Sequence, residues 1–236
     1  MAPAAASSYE ASMSPPDPLE DAAQRDPTPA RGRPKNAATL ILLRRDGPEP
    51  RLLMGRRAAG HAFMPDKWVF PGGRVDRADF RARSLSELRP EVAAVLDRSA
   101  PPARAGALAR ASGIAAVRET WEEAGLVLGR LEGDRLLPDL AALEMVAHAI
   151  TPPGRVRRFD ARFFTADASA LQGLERTPGS GELQEIAWFT LADALQLDLP
   201  SITRFVVSEI AERQSDPTRP VPSVRMLRGK PSVQPL

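Results

Sequence analysis

The octapeptide Arg118-Glu119-Thr120-Trp121-Glu122-Glu123-Ala124-Gly125 constrains this chain more than any other stretch. Its carboxylates, at i, i+3 and i+4, share one face of an α-helix. Side by side they repel by about a few tenths of a kcal/mol per exposed pair, so the cluster makes more sense beneath a cation. Carboxylate oxygens are hard ligands for Mg²⁺ or Mn²⁺, which use them together with waters and substrate phosphates. Gly125 then ends the helix where positive φ costs a glycine little. The competing reading is a solvated Glu-rich face, the usual fate of such a charge pattern.

The segment upstream decides between them. Trp68-Val69-Phe70 reads as a short strand running into Pro71-Gly72-Gly73, a turn that brings backbone close to whatever lies beside it. Asp79 follows six positions after Gly73. Together the two pieces resemble the signature of the Nudix hydrolases, Gly-x5-Glu-x7-Arg-Glu-U-x-Glu-Glu-x-Gly-U, with U a bulky aliphatic. Gly73 matches the first glycine, and Asp79 stands at the first glutamate. Arg118, Glu119, Glu122, Glu123, Gly125 and Leu126 match the second half, with Thr120 at a position usually more apolar. The departure is the run Phe80–Val117 where the family has seven residues.

A long insertion at this place is found in a Nudix subgroup that includes coenzyme A diphosphatase-like proteins. The chain is similar to that subgroup also in Phe63-Met64-Pro65 and in Arg158–Phe164, while Asp66 stands where its coenzyme A-associated pattern has a glycine.

The resemblance implies an α/β (α+β) fold, a Nudix-type α/β/α sandwich with a mixed central sheet and, here, a helical insertion. It implies divalent-metal-dependent hydrolysis of a phosphoanhydride in a nucleoside diphosphate linked to another moiety. Coenzyme A or an acyl derivative is the first substrate candidate; ADP-ribose and dinucleotides are the alternative. A non-catalytic nucleotide-binding sensor is the reading from another class, and such domains usually lack one or more of the glutamates retained here.

By the same resemblance Glu119, Glu122 and Glu123 are metal-binding and catalytic, with Gly73 as a backbone ligand and Mg²⁺ or Mn²⁺ as the ion. Arg118 is expected to pair with Asp79, and Gly72 and Gly125 are structural positions of the box. Glu182 and Glu185 are candidates for a carboxylate from a later loop. Arg56, Lys67 and Arg158 are the substrate-contact candidates, since guanidinium forks suit phosphate oxygens. Arg57, Arg155 and Arg157 share that chemistry. His61 and His148, the only histidines, read as structural or surface residues, and Trp121 as core.

Composition bounds the rest. With 236 residues, 43% of them apolar, the chain can form one sizeable core with room for tails. The net charge of +2 and the absence of a basic, aromatic-interleaved tract argue against nucleic-acid binding. The absence of Cys excludes disulfides, thiolate metal sites and cysteine nucleophiles. No apolar run approaches the ~20 residues a bilayer requires, and no secretory layout is present, so a cytoplasmic protein without a membrane partner is expected.

Residues 1–35, rich in Ala, Pro and Ser, read as a disordered arm, 36–214 as the domain with its insertion at about 80–113, and 215–236 as a Pro-rich tail. The tails leave a homodimer open. Strands are expected over 38–43, 51–54, 68–70, 144–150, 159–165 and 185–189. Helices are expected over 84–98, 103–124 with a bend near Gly113, 191–196 and 201–214. Whether the insertion closes over a site or packs on the surface is left open.

Overall fold

A computed structural model of the chain describes residues 18–19, 32–60, 65–155, 157–175 and 180–236. Most of the expected N-terminal arm, and His61, Phe63 and Met64, lie outside the described residues.

Eleven strands and four helices alternate along the described chain. The strands are β1 (Lys35–Arg44), β2 (Arg51–Arg57), β3 (Trp68–Val69), β4 (Gly72–Arg74), β5 (Gly129–Glu132), β6 (Arg135–Pro138), β7 (Glu144–Ile150), β8 (Phe159–Asp167), β9 (Leu183–Thr190), β10 (Pro222–Leu227) and β11 (Lys230–Pro235). The helices are α1 (Pro90–Arg98), α2 (Ala105–Ala124), α3 (Leu191–Gln196) and α4 (Ser201–Ser215).

Among the described residues the main sheet has nine strands in the order β11-β10-β7-β8-β1-β2-β3, with β4 on β1 and β9 on β2. It is mixed: β1 runs parallel to β8, and β10 parallel to β7. The sheet forks at β1. One edge of β1 pairs with β8 along its whole length, while the other meets β4 at 37–39 and β2 at 43–44. A cleft opens beside that fork.

The apolar run Leu40–Leu43 is continuous because β1 is buried on both faces. Leu40 and Leu42 pack with Phe164 of β8 and Ile114 and Val117 of α2. Ile41 and Leu43 turn to the other face, with Phe163 of β8 and Val206, Val207 and Ile210 of α4. Each such side chain, once fully buried, contributes about 1.5–3 kcal/mol. The result is three layers, helix, sheet, helix, as expected of this class.

Several local expectations change. The first insertion helix begins at Pro90, not Ser84. Proline disfavours helical backbone in the residue before it, and Arg89 is extended, with φ −60° and ψ 143°. Helix α2 runs unbroken through Gly113; a side chain there would meet Leu140 and Leu143 at 3.1–3.3 Å, so the glycine serves close packing. Trp121 is only half-buried, whereas Thr120 is fully buried with its hydroxyl donating to Ala116 O at 2.9 Å. That hydroxyl bond reconciles the polar residue with an apolar position.

The Pro-rich end is a β-hairpin built into the sheet. Leu236 N–H donates to Val221 O at 2.9 Å, which turns the N–H positions of Pro231, Val233 and Pro235 outward. Two of these three lack a donor, so the edge resists addition of another strand.

His148 is buried, bonding Ser223 Oγ through Nδ1 at 3.0 Å and Asp160 Oδ1 through Nε2 at 2.7 Å. Asp160 also pairs with Arg162, 0% exposed, at 3.2 Å, and Arg162 donates to Ser99 at the end of α1. These bonds tie β7, β8, β10 and the insertion together.

Candidate active site

The two halves of the box meet despite the insertion. Arg118 Nε donates to Asp79 Oδ1 at 3.0 Å and Nη2 to Asp79 Oδ2 at 3.1 Å, a bidentate fork between residues 39 positions apart. Asp79 is 1% exposed and also accepts from Asp76 N–H at 2.7 Å, so it caps the turn leaving β4. Arg118 further donates to Arg74 O, to Glu119 Oε1 at 2.8 Å and to Glu122 Oε2 at 3.0 Å. Burial alone would lower the Arg118 pKa, but the bonds and charges of Asp79 and Glu119 outweigh it and hold the guanidinium charged.

The carboxylates rest against the glycine turn. Gly72 N–H donates to Glu123 Oε2 at 2.9 Å. A Cβ on Gly73 would fall 2.5 Å from all three atoms of the Glu119 carboxyl group, so that group fills the space a side chain would need. Gly125, with φ 69°, stops the helix with its N–H on Trp121 O at 2.9 Å.

Burial raises the Glu123 carboxyl to about 8, with the Gly72 N–H and Arg57 opposing and Glu119 and Glu182 reinforcing. Burial also raises Glu119, partly offset by Arg118. Glu122 is the exposed member.

Among the described residues no three His, Cys, Asp or Glu side chains are gathered as a ready metal cluster. Glu119 and Glu122 turn to Arg118, and Glu123 to Gly72. The donor set nevertheless fits a hard cation: three carboxylates on one helix face, one buried and costly to ionise alone, at a turn held open by glycine.

A cleft of about 860 Å³ runs from this helix across the sheet, within the size range of ligand sites. Gly72, Gly73, Arg118, Glu119, Glu122, Glu123, Glu182 and Arg158 line it. The N–H of Ser180 donates to Glu122 O at 2.6 Å, mooring the loop that delivers Glu182. No lining residue falls between 80 and 117: the insertion packs Val92, Leu96, Ala109 and Ile114 into the core instead.

Three predicted contacts do not reach the cleft. Arg56 and Glu185 pair with one another, and Lys67 pairs with Asp198. Arg57, next to Arg56, takes the place in the cleft, close enough for the charges of Glu123 and Glu182 to act on it. Strand alternation put one of the pair inward, and the irregular register between β2 and β9 at Gly55–Arg57 lies where sequence could not reveal which. Pro18 and Leu19 also border the cleft, their carbonyls accepting from Ser201 Oγ at 3.1 Å and Arg155 Nη2 at 2.6 Å.

A three-layer sandwich whose glycine turn meets a carboxylate helix through an acid–arginine clamp is the architecture of the Nudix hydrolases, and the chain has the Nudix hydrolase fold. The crystal structure of a NUDIX hydrolase from Alicyclobacillus acidocaldarius is similar to it with a TM-score of 0.59 and 26% identity, covering 77% of this chain and 93% of that one. The acyl-coenzyme A diphosphatase NUDT19 of Gallus gallus is 33% identical over 162 residues, which cover 59% of this chain and 42% of that protein. The chain thus spans less than half the length of this curated relative. No family model matches the chain.

Gly73→Ala is expected to cut phosphoanhydride turnover by at least about 100-fold, because the added methyl displaces the Glu119 carboxylate. Steady-state kinetics beside a thermal melt checks this. A variant with wild-type turnover would show that the close approach is dispensable.

Proposed function

We propose that this chain hydrolyses the diphosphate of a nucleoside diphosphate derivative, with coenzyme A or acyl-coenzyme A as the substrate class. The observation that carries the reading is the Arg118–Asp79 clamp, which holds Glu119, Glu122 and Glu123 against Gly72–Gly73 at the head of a ligand-sized cleft. The named activity of the Gallus gallus relative supports the choice of substrate. So does Asp66: at φ 59° it adopts the left-handed backbone that a glycine takes most easily, and a glycine stands there in the coenzyme A-associated pattern.

Glu122 and Glu123, with Glu119 beside them, would hold Mg²⁺ or Mn²⁺. Such an ion, when bound, neutralises phosphoryl oxygens and acidifies water. Arg57, close enough for the charges of Glu123 and Glu182 to act on it, would add positive charge to the same cleft as the diphosphate gains charge in bond breaking. In this reading Glu119, whose carboxyl burial raises, would take the proton of the attacking water. The water oxygen bonds to one phosphorus, and the bridging oxygen leaves with the electron pair of the broken P–O bond.

The test is product analysis by mass spectrometry with Mg²⁺ or Mn²⁺ and a panel of coenzyme A, acyl-coenzyme A, ADP-ribose, NADH and nucleoside triphosphates. Cleavage of coenzyme A to adenosine 3′,5′-bisphosphate and phosphopantetheine, lost in Glu122→Gln/Glu123→Gln, is the expected result. Turnover of a nucleoside triphosphate alone would overturn the substrate, and no turnover of any member would overturn the activity.

A further inference from the structure

The segment before β1 reads from sequence as a disordered arm, yet its described residues land on the cleft at two places. At the first, Pro18 is buried and Leu19 half-buried, well ahead of the start of β1 at Lys35. Ser201 Oγ, on the first residue of α4, donates to Pro18 O at 3.1 Å, and Arg155 Nη2 donates to Leu19 O at 2.6 Å. The Leu19 side chain packs against the apolar cluster that holds Phe70, Ala149 and Phe163, three residues that line the cleft themselves. At the second place, Gly32 O accepts from Arg158 Nη1 at 3.0 Å, while Arg158 O accepts from the Lys35 N–H at 2.9 Å.

Two main-chain carbonyls of the arm thus hold two arginines that line the cleft. Hydrogen bonds with a charged donor are roughly twice as strong as neutral ones, so these are firm moorings. An arm moored this way either plugs the cleft or completes its wall. Space separates the two. With Pro18 and Leu19 seated, the cleft keeps about 860 Å³, near the upper end of the range for ligand sites. Charge points the same way: a carbonyl orients a guanidinium and leaves its positive charge in place, whereas a carboxylate would cancel it. The arm behaves as a wall.

We infer that Pro18–Leu19 is a working part of the substrate site. Seated between α4 and the loop from β7 to β8, it closes one side of the cleft and orients Arg155, so that it sets substrate affinity and not the rate of bond breaking. Leu19 is a positioning residue: it acts through Arg155 and through the shape of the cleft. The inference rests on the reading of the cleft as a nucleoside diphosphate site, and it adds to that site a segment that the expected domain, 36–214, leaves out.

Titration calorimetry on the full chain with Mg²⁺ and adenosine 5′-diphosphate reads the affinity directly. Leu19→Asn, which removes the apolar anchor without adding charge, is expected to weaken binding at least about fivefold. Ser201→Ala should weaken it by less, and Leu19→Met should restore it. Because Arg155→Ala removes the group that the arm orients, Leu19→Asn should add little to that variant. Hydrogen exchange over residues 18–19 should show protection in the wild type that Leu19→Asn loses. With any phosphoanhydride that the wild type cleaves, Leu19→Asn should raise KM and keep kcat within about twofold. Should Leu19→Asn melt early, Leu19→Ala replaces it.

Unchanged affinity in Leu19→Asn would overturn the wall, and tighter binding would overturn it in favour of a plug. A wild type that does not bind adenosine 5′-diphosphate would overturn it as well. Weakened binding in Leu19→Asn, without hydrolysis of any phosphoanhydride by the wild type, would leave the wall standing and remove the proposed activity. Hydrolysis, with wild-type affinity in Leu19→Asn, would do the opposite.

Discussion

Replacing Glu123 with glutamine is expected to lower turnover by about 10²–10⁴-fold while raising the melting temperature of the metal-free protein at pH 8 by several degrees. Glu123 is 6% exposed, and burial raises its carboxyl from 4.5 to about 8. Between those values the folded protein keeps a proton that the unfolded chain has lost. The stability tied to this group is therefore complete below about pH 4.5 and is lost as pH rises through 8. The linked cost near neutrality is on the order of a few kcal/mol.

Glutamine carries no charge to desolvate and keeps an oxygen to accept from Gly72 N–H, so it escapes that cost. Calorimetry in EDTA from pH 5 to 9, beside turnover at pH 8, checks both halves. If wild type and variant lose stability in parallel as pH rises, the ionisation of Glu123 is not the source.

Asp79→Ala should destabilise the fold by about 3–5 kcal/mol, because it leaves Arg118 without the carboxylate that balances it. The freed guanidinium already touches Glu119 and Glu122 and would compete with a cation for them, so Mn²⁺ affinity should fall as well. Removing both partners in Asp79→Ala/Arg118→Ala should cost less than the sum of the single changes, by about 1–3 kcal/mol. Urea unfolding of the four proteins measures the coupling, and titration calorimetry measures the metal. Additive stability effects with unchanged Mn²⁺ affinity would remove the clamp from the account.

Much of this site was legible in the chain because its logic is local. The three carboxylates of one helix, the glycine that stops it and the glycine turn before it need only helical periodicity and backbone sterics. The meeting of Asp79 and Arg118 came from the resemblance, and the structure shows it across the insertion.

Other residues are placed by contacts that spacing does not show. Arg56 and Arg57 are indistinguishable by type, and the bulged pairing of β2 with β9 lies at the point where they differ. Lys67 and Glu185 have the right chemistry, but each pairs with a neighbouring strand or loop. Apolar spacing extends α1 back to Ser84, whereas Pro90 keeps Arg89 extended and starts the helix there.

By itself the sequence determined what is set within a turn or two of chain: the acidic helix, its caps, the glycine turn and the alternation of strands and helices. The tertiary structure alone decided which arginine enters the cleft, that the insertion fills the core, and that the Pro-rich end becomes a hairpin of the sheet. Those outcomes depend on strand register and on pairing between segments far apart in the chain, such as Ser223 with His148 and Lys35 with Phe159. Periodicity shows that a side chain alternates, and only the assembled sheet shows what it then faces.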